Sequence, residues 1–319
     1  MTRATGEPTG SPPGSPRREV PSAPLTILLL AGGLGTRYGG PKQLDRLGPS
    51  GETLMDYALF DAWRVGFNRA VFVIHPDIAD RFEREFAPRY RSRLIINAVP
   101  QLLEDLPGTH RPPPGRRKPW GTAQAVLAAR RDLTGNFMVL NADDCYGHEA
   151  IARAAGFLTG RDPASRRHAV VGFRLDRTLS PAGAVNRAVL ERREDGTLSR
   201  VTELTGLRPG PDGDVALTGD GRRISGDTLV SMNLWAMTPM VLPSLQRAFE
   251  RFLDRAPDEA ECYLPEAMQE LIASGAGEVE ILPTESRWCG VTHADDHRWV
   301  AEALAEATRR GEYPERMWG

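Results

Sequence analysis

Cysteine is scarce in this chain of 319 residues, which holds only Cys145, Cys262 and Cys289. Three scattered thiols cannot build a disulfide framework, so we expect a reduced, cytoplasmic protein. An excess of charge of one sign is also missing. Lys and Arg total 40 against 42 Asp and Glu, a net of -2, which provides no basic field for a nucleic-acid backbone. No stretch approaches the roughly 20 apolar residues of a membrane-spanning helix, so no membrane partner is expected. The first apolar run, Leu25–Ala31, is short and leads into glycines rather than a cleavage site, unlike a secretory signal. Internal repeats are absent, which excludes a solenoid.

Proline and glycine are plentiful but uneven. Residues 1–24 carry Pro8, Pro12, Pro13, Pro16, Pro21 and Pro24 with almost no apolar side chains. Such a segment buries too little surface to offset its ordering entropy and is expected to be disordered. From residue 25 onward, short apolar runs alternate with amphipathic stretches. Strands are expected at Thr26–Leu30, Ala70–Ile74, Leu94–Ala98, Phe137–Asn141 and Ala169–Arg174, and helices at Leu54–Val65, Ile78–Phe86, Thr122–Arg131 and Glu149–Leu158. The strands are continuously hydrophobic, as suits strands covered on both faces. This alternation predicts one α/β domain over 25–319, with a Rossmann-like, mostly parallel mixed sheet flanked by helices. Between about 175 and 240 the pattern turns β-rich, with strands at Ala188–Arg192, Ser199–Glu203 and Leu229–Ala236 joined by turn signals. We expect this part to supply a pocket. Helices follow at Leu242–Ala256 and Tyr263–Ser274, then a strand at Val279–Leu282 and a C-terminal helix and tail over 294–319. The tail helices offer a candidate surface for a homo-oligomer.

The stretch from Leu28 to Lys42 is the richest in chemistry. An apolar strand runs into Gly32, Gly33, Gly35, Gly39 and Gly40, with Arg37 and Lys42 as fixed cations. Glycines let backbone amides approach an anion closely. A dinucleotide fingerprint would need glycine where Tyr38 stands, and a P-loop would need Ser or Thr where Gln43 follows Lys42. Both readings fail. A structural turn with two surface cations remains the bland alternative.

Gly32-Gly33-Leu34-Gly35-Thr36-Arg37 followed by Pro41-Lys42 resembles the signature of the sugar-phosphate nucleotidyltransferases, the NDP-sugar pyrophosphorylases. The resemblance implies a glycosyltransferase-A-like fold, Mg²⁺ as cofactor, and an NTP and a phosphorylated small molecule as partners. Leu30, Ala31, Gly32, Gly33, Gly35 and Thr36 would then border the nucleotide. Arg37 and Lys42 would be catalytic, because nucleotidyl transfer depends mainly on positioning and charge stabilisation.

Further motifs follow in the family's order. Gln101 and Gly121-Thr122 match its base-recognition positions, although Thr122 is also a natural N-cap for the helix it opens. Asp143, at the end of an apolar strand, matches the metal-binding carboxylate; a hard oxygen there suits Mg²⁺. Its neighbour Asp144 is read as capping the next turn or facing solvent. Gly183 and Glu203 match acceptor contacts, and Asn233 is either a pocket residue or a satisfied buried amide. Many members have Lys directly after that Glu; here Leu204 follows, leaving Arg187 and Arg208 as candidate cations. At the second metal position the family has Asp or Asn, and this chain has Thr292, with Asp295 and Asp296 nearby as substitutes or as helix-start residues. Cys289, His293 and His297 are spaced by four, but a structural zinc site normally takes four ligands. Arg111, Arg116, Arg117 and Lys118 either steer anions or form a solvated loop. The activity implied is nucleotidyl transfer to a sugar 1-phosphate. The alternatives are an alditol or choline phosphate as acceptor, or a catalytically silent nucleotide-binding homologue.

Overall fold

Thr26–Ala31 (β1) is buried along its whole length, and a strand with no exposed face belongs inside a sheet covered on both sides. The computed structural model describes residues 25–33, 44–210, 215–255, 260–291, 293 and 295–318, and it places β1 in that position. Leu54–Arg64 (α1) leads to Arg69–Ile74 (β2), which pairs in parallel with β1. Ala79–Glu85 (α2) and Ala87–Tyr90 (α3) precede Ile95–Pro100 (β3), which pairs in parallel with β2. Thr122–Ala128 (α4) connects to Phe137–Asn141 (β4), the other parallel neighbour of β1.

The next elements are Asp144–Cys145 (β5), His148–Leu158 (α5), Arg167–Arg174 (β6), Val185–Arg192 (β7), Leu198–Pro209 (β8), Val215–Leu217 (β9), Arg223–Ser225 (β10) and Leu229–Met237 (β11). Leu242–Leu253 (α6), Leu264–Ala273 (α7), Glu278–Thr284 (β12), Cys289–Gly290 (β13) and Asp296–Arg309 (α8) complete the order. The main sheet runs β10-β9-β8-β7-β11-β4-β1-β2-β3, with β6 pairing β11 and β12. The sheet is mixed. β11 is antiparallel to β4, β6 and β7, whereas β12 and β6 are parallel.

Alternate side chains of β1 explain the layering. Ile27 and Leu29 pack with Met55, Ala58 and Ile151 from α1 and α5 on one face. Leu28 and Leu30 pack with Val126, Leu245 and Leu271 from α4, α6 and α7 on the other. Ile27, Leu28 and Leu29 are fully buried, and each contributes about 1.5–3 kcal/mol, so an Ile27→Ala change would open a void in the first layer. No helix among the described residues is long and apolar enough to cross a membrane.

Some elements differ from the sequence reading. β3 is an edge strand with Ile95 65% exposed, because among the described residues no strand pairs beyond it in the sheet order. α4 stops at Ala128 rather than Arg131, since Arg130 N donates to Leu127 O and Asp132 N to Ala129 O in tight turns. β8 continues past Glu203 to Pro209 because β7 offers a long antiparallel partner.

Candidate functional site

Parallel sheets bind ligands at the carboxyl ends of their strands, and here β1, β2 and β4 end together. Leu30 lies beside Asn141 in register, and Ala142 N donates to Leu30 O at 3.1 Å. Gln101 follows β3, with its N–H bonded to Ile74 O at 2.8 Å. The Gln101 side chain is buried and its oxygen lies against Gly32, where a Cβ would overlap it. Its Nε2 donates to Gly121 O at 3.1 Å and to Gln124 Oε1 at 2.8 Å. The amide thus ties the β1 loop to the loop that opens α4, and both of its hydrogens are committed.

Gly121 has φ +95, and a Cβ there would come within 2.5 Å of the Cys262 carbonyl oxygen. Only glycine meets both conditions without strain. The neighbouring backbone pairs with Cys262 in both directions: Cys262 N donates to Trp120 O at 2.8 Å, and Ala123 N to Cys262 O at 3.0 Å. Thr122 does not cap its own helix, as its position at the helix start had implied. The N-cap of α4 is Gly121, and the Thr122 hydroxyl instead accepts from Leu264 N at 2.8 Å, at the start of α7.

The loop after β4 carries the carboxylates. Asp143 is half-buried at the strand end. Asp144 is buried rather than solvent-facing, accepting from Asn141 Nδ2 at 2.9 Å. The Tyr146 hydroxyl accepts from Asn141 N and lies 3.1 Å from both Asp144 Oδ2 and Met232 O. Burial, and then the charge of Asp143, push the Asp144 carboxyl up to about 7, against hydrogen bonds from Asn141 and Tyr146. Asn233 is both things the sequence left open: it lines the cavity described next, and its amide is satisfied. Its Nδ2 donates to Asn141 Oδ1 at 2.8 Å, and its Oδ1 accepts from Trp235 Nε1 at 2.9 Å. Its φ of 61 makes it the non-glycine residue with positive φ among those described, a conformation that asparagine tolerates better than most.

Beside this loop opens a cavity of about 610 Å³, bordered by Thr122, Asn141, Arg187, Glu203, Asn233 and Glu266. It lies between the end of β4, the interior of β11 at Ser231–Asn233, the β7–β8 ladder and the start of α7. Burial and the facing Glu203 raise the Glu266 carboxyl above its usual range. Arg187 is 7% exposed. Its Nη1 donates to Asn186 O at 2.8 Å, its Nη2 to Thr178 O, and its guanidinium sits 4.8 Å over the Trp288 ring. Burial lowers it to about 10, opposed by Asp144 and Asp296, so it is a cation at neutral pH. Arg208 is exposed on β8 and does not border the cavity.

Other expected residues go elsewhere. Gly183 is not brought to the cavity: it packs on His293, where a Cβ would lie 2.8 Å from Nε2, and that nitrogen is 3.0 Å from Ala184 O. Asp296 is buried and fastens this corner, accepting from Ser180 Oγ at 2.6 Å, His293 N at 2.6 Å and Trp299 Nε1 at 2.7 Å. Asp295 is exposed. Cys289 lies opposite Cys145 in the small β5–β13 sheet, and His297 is 3.6 Å from Asp45. Gly35, Thr36, Arg37, Lys42 and Thr292 lie outside the described residues, as does the segment 1–24. Arg116 is neither a steering charge nor solvated. It is buried, stacks 3.6 Å over Trp120, and donates to the carbonyls of Lys118, Pro119 and Ala260. Sequence reasoning missed Tyr263, Glu266 and Gln269, which also border the cavity. Their spacing of three, which sets them on one helical face, is the signal that was available.

No family model matches the sequence, and no curated protein matches it. Solved structures do. The inositol-1-phosphate CTP transferase from T. maritima aligns with TM-score 0.60 at 15% identity, covering 90% of this chain and 98% of that one. A UDP-glucose pyrophosphorylase complexed with UDP-glucose aligns with TM-score 0.59 at 14% identity, covering 89% and 99%. The UTP-bound UGPase from Acinetobacter baumannii aligns with TM-score 0.56 at 13% identity, covering 91% and 99%. At these identities the likeness is one of fold, and it runs nearly the full length of each partner. The chain therefore shares the fold of these proteins, a mixed sheet with a parallel β4-β1-β2-β3 core and flanking helices.

Proposed function

We propose that this protein is an enzyme that transfers a nucleoside monophosphate from an NTP to a sugar 1-phosphate in the cytoplasm. The observation that carries the reading is the cavity next to the joined ends of β1 and β4, with Asn141 on its wall and Asp143 two residues on. It offers a second substrate a place beside the loop that would hold the first. An oxygen of the acceptor phosphate attacks the α-phosphorus in line; the bond to the β-phosphate oxygen breaks, and pyrophosphate leaves. The Gly32–Thr36 amides and Arg37 hold the triphosphate, and Lys42 balances charge at the α-phosphate as the transition state forms. Gln101 and Gly121 shape the base pocket through their shared bond.

The residues present fit Mg²⁺. Asp143 is a half-buried hard-oxygen donor beside a second carboxyl that burial, and then the charge of Asp143, drive toward protonation, and Mg²⁺ normally takes one or two protein carboxylates, completing its shell with waters and phosphates. When bound, the ion would supply charge neutralisation at the phosphates. Asp143 would hold it, with Thr292 as a further oxygen. The polar wall formed by Glu203, Asn233 and Glu266 can accept or donate hydrogen bonds with a polyhydroxylated acceptor.

The test is pyrophosphate release over a matrix of NTPs and sugar, alditol and choline phosphates, with product masses read by spectrometry. Purified protein that binds NTP with Mg²⁺ yet turns over no member of the matrix would be a silent homologue, and the proposal would be wrong.

A further inference from the structure

We infer that Cys145 and Cys289 form a site of reversible oxidation, two thiols under reducing conditions and one disulfide under peroxide, whose closure ties the carboxylate loop after β4 to β13. The two are far apart in the sequence, and folding makes them direct partners across the antiparallel β5–β13 ladder. Opposed residues in such a ladder have Cα atoms about 4.5–5.5 Å apart, inside the roughly 4.4–6.8 Å that a disulfide spans. The thiols are already in contact, joined by a hydrogen bond between their sulfurs. Both are buried and free, in an apolar cluster with Leu54, Tyr57, Val291 and Leu304 that accommodates an uncharged bridge as well as two thiols. Cys262 packs with Val126 and Leu271 in the layer of α4, α6 and α7, so it does not compete for either sulfur.

The hydrogen bond to Cys289, and then burial, hold the Cys145 thiol well above its usual range. The thiolate is the attacking form, so the first step is assigned to Cys289 and the second to Cys145. Cys289 Sγ attacks one oxygen of hydrogen peroxide; the O–O bond breaks, and the thiol proton leaves with the other oxygen as water. Cys145 Sγ then attacks the sulfur of the resulting sulfenic acid. The S–O bond breaks, the hydroxyl takes the Cys145 proton to leave as a second water, and the S–S bond forms. Each cysteine is 6% exposed, and the ladder holding them is two residues long on each strand. So short a patch opens by local fluctuation without global unfolding, which admits an oxidant little larger than water and makes the reaction slow.

Closure reaches the site through the neighbouring rung. β5 begins at Asp144, directly after Asp143, and Gly290 lies opposite Asp144. A Cβ on Gly290 would come within 2.7 Å of Asp144 Oδ1, so that rung has no slack. Drawing the sulfurs to a bonded distance of about 2.05 Å therefore moves the carboxylate loop with β5.

The test holds the reduced full chain in hydrogen peroxide over hours, then quenches and denatures it, counts thiols with a chromogenic disulfide reagent and maps peptides by mass. The count is expected to fall from three to one, with a peptide linking positions 145 and 289 that dithiothreitol separates. Cys289→Ala should yield no internal link under the same treatment. Cys262→Ala leaves the pair intact and should fall from two thiols to none, which decides the matter if Cys289→Ala fails to fold. Three surviving thiols, a link through Cys262, or sulfinic acid without a link overturns the site. The effect on catalysis rests on the transferase reading above. A displacement of about 1 Å in a positioned group costs up to about 100-fold in rate, so the bridged protein is expected to release pyrophosphate about tenfold or more slower, recovering with dithiothreitol. Unaltered release by fully bridged protein overturns the tie to the carboxylate loop. If the reduced protein releases no pyrophosphate with any substrate, the transferase reading fails, and the thiol count still decides the bridge.

Discussion

The amide oxygen of Gln101 fills the space that a side chain on Gly32 would take. The contact cannot relax freely, because the same amide is held from its other side by Gly121 O and Gln124 Oε1. Gly32→Ala is therefore expected to displace a buried, doubly bonded glutamine and destabilise the fold by about 1–3 kcal/mol, the range for overpacking. Gln101→Ala in the same chain should return part of that stability. Urea titrations of the single and double variants give the coupling; strictly additive effects would contradict the contact.

Lys42→Ala is expected to lower kcat by about 100-fold or more, the usual loss when one preorganised charge donor to the reacting phosphate is removed. Folding should be unaffected by circular dichroism, and the NTP Kd should change far less than kcat. Near-normal turnover would remove Lys42 from the mechanism.

His168 predicts an acid-sensitive fold. It is fully buried on β6, with Nδ1 accepting from Thr238 N at 3.3 Å and Nε2 without a hydrogen-bond partner among the described residues. Burial, then the charge of Arg161, lower it from 6.5 to about 4. The unfolded chain thus binds a proton between pH 6.5 and 4 that the native state refuses. Stability falls as pH drops through that window and is unaffected by this group above it. The slope is about 1.4 kcal/mol per pH unit for the one proton. Chemical denaturation at pH 7 and pH 5 should show the loss in wild type and a smaller loss in His168→Gln.

Asp144 predicts the opposite sign. Its carboxyl is raised from 3.8 to about 7, so the native state binds a proton more readily than the unfolded chain. The penalty is fully present above pH 7 and is relieved as pH falls toward 3.8. With a chelator present, Asp144→Asn should raise the melting temperature relative to wild type at pH 8 and bring a clearly smaller gain at pH 5. Equal shifts at both pH values would show that Asp144 is not the group responsible.

Much of the central sheet was legible because its signals are local. β1 and β4 are continuous apolar runs that end in chemistry, glycines after one and Asn141-Ala142-Asp143-Asp144 after the other. What was not legible depends on distant partners. Arg116 in a proline-rich loop looks solvated until Trp120 and the Ala260 carbonyl are brought beneath it. Thr122 looks like a cap for its own helix until Leu264 arrives from 142 positions away. Tyr263, Glu266 and Gln269 read as an ordinary wet helical face, because only the tertiary fold sets β8 opposite them to make a wall. Gly183 was placed by resemblance, and its close approach to His293 is a contact that only the fold reveals.

The hydroxyl of Thr122 at the start of α7, together with the two-way backbone pairing of Trp120 and Ala123 with Cys262, makes the glycine turn and the helix entrance one mechanical part. One surface of that part carries Gly121 toward Gln101, and another carries Glu266 toward the cavity. Anything that displaces the glycine turn is therefore expected to displace the entrance of α7 with it. The wall of the cavity that carries Glu266 is thereby tied, through backbone and one hydroxyl, to a loop that borders none of it except at Thr122.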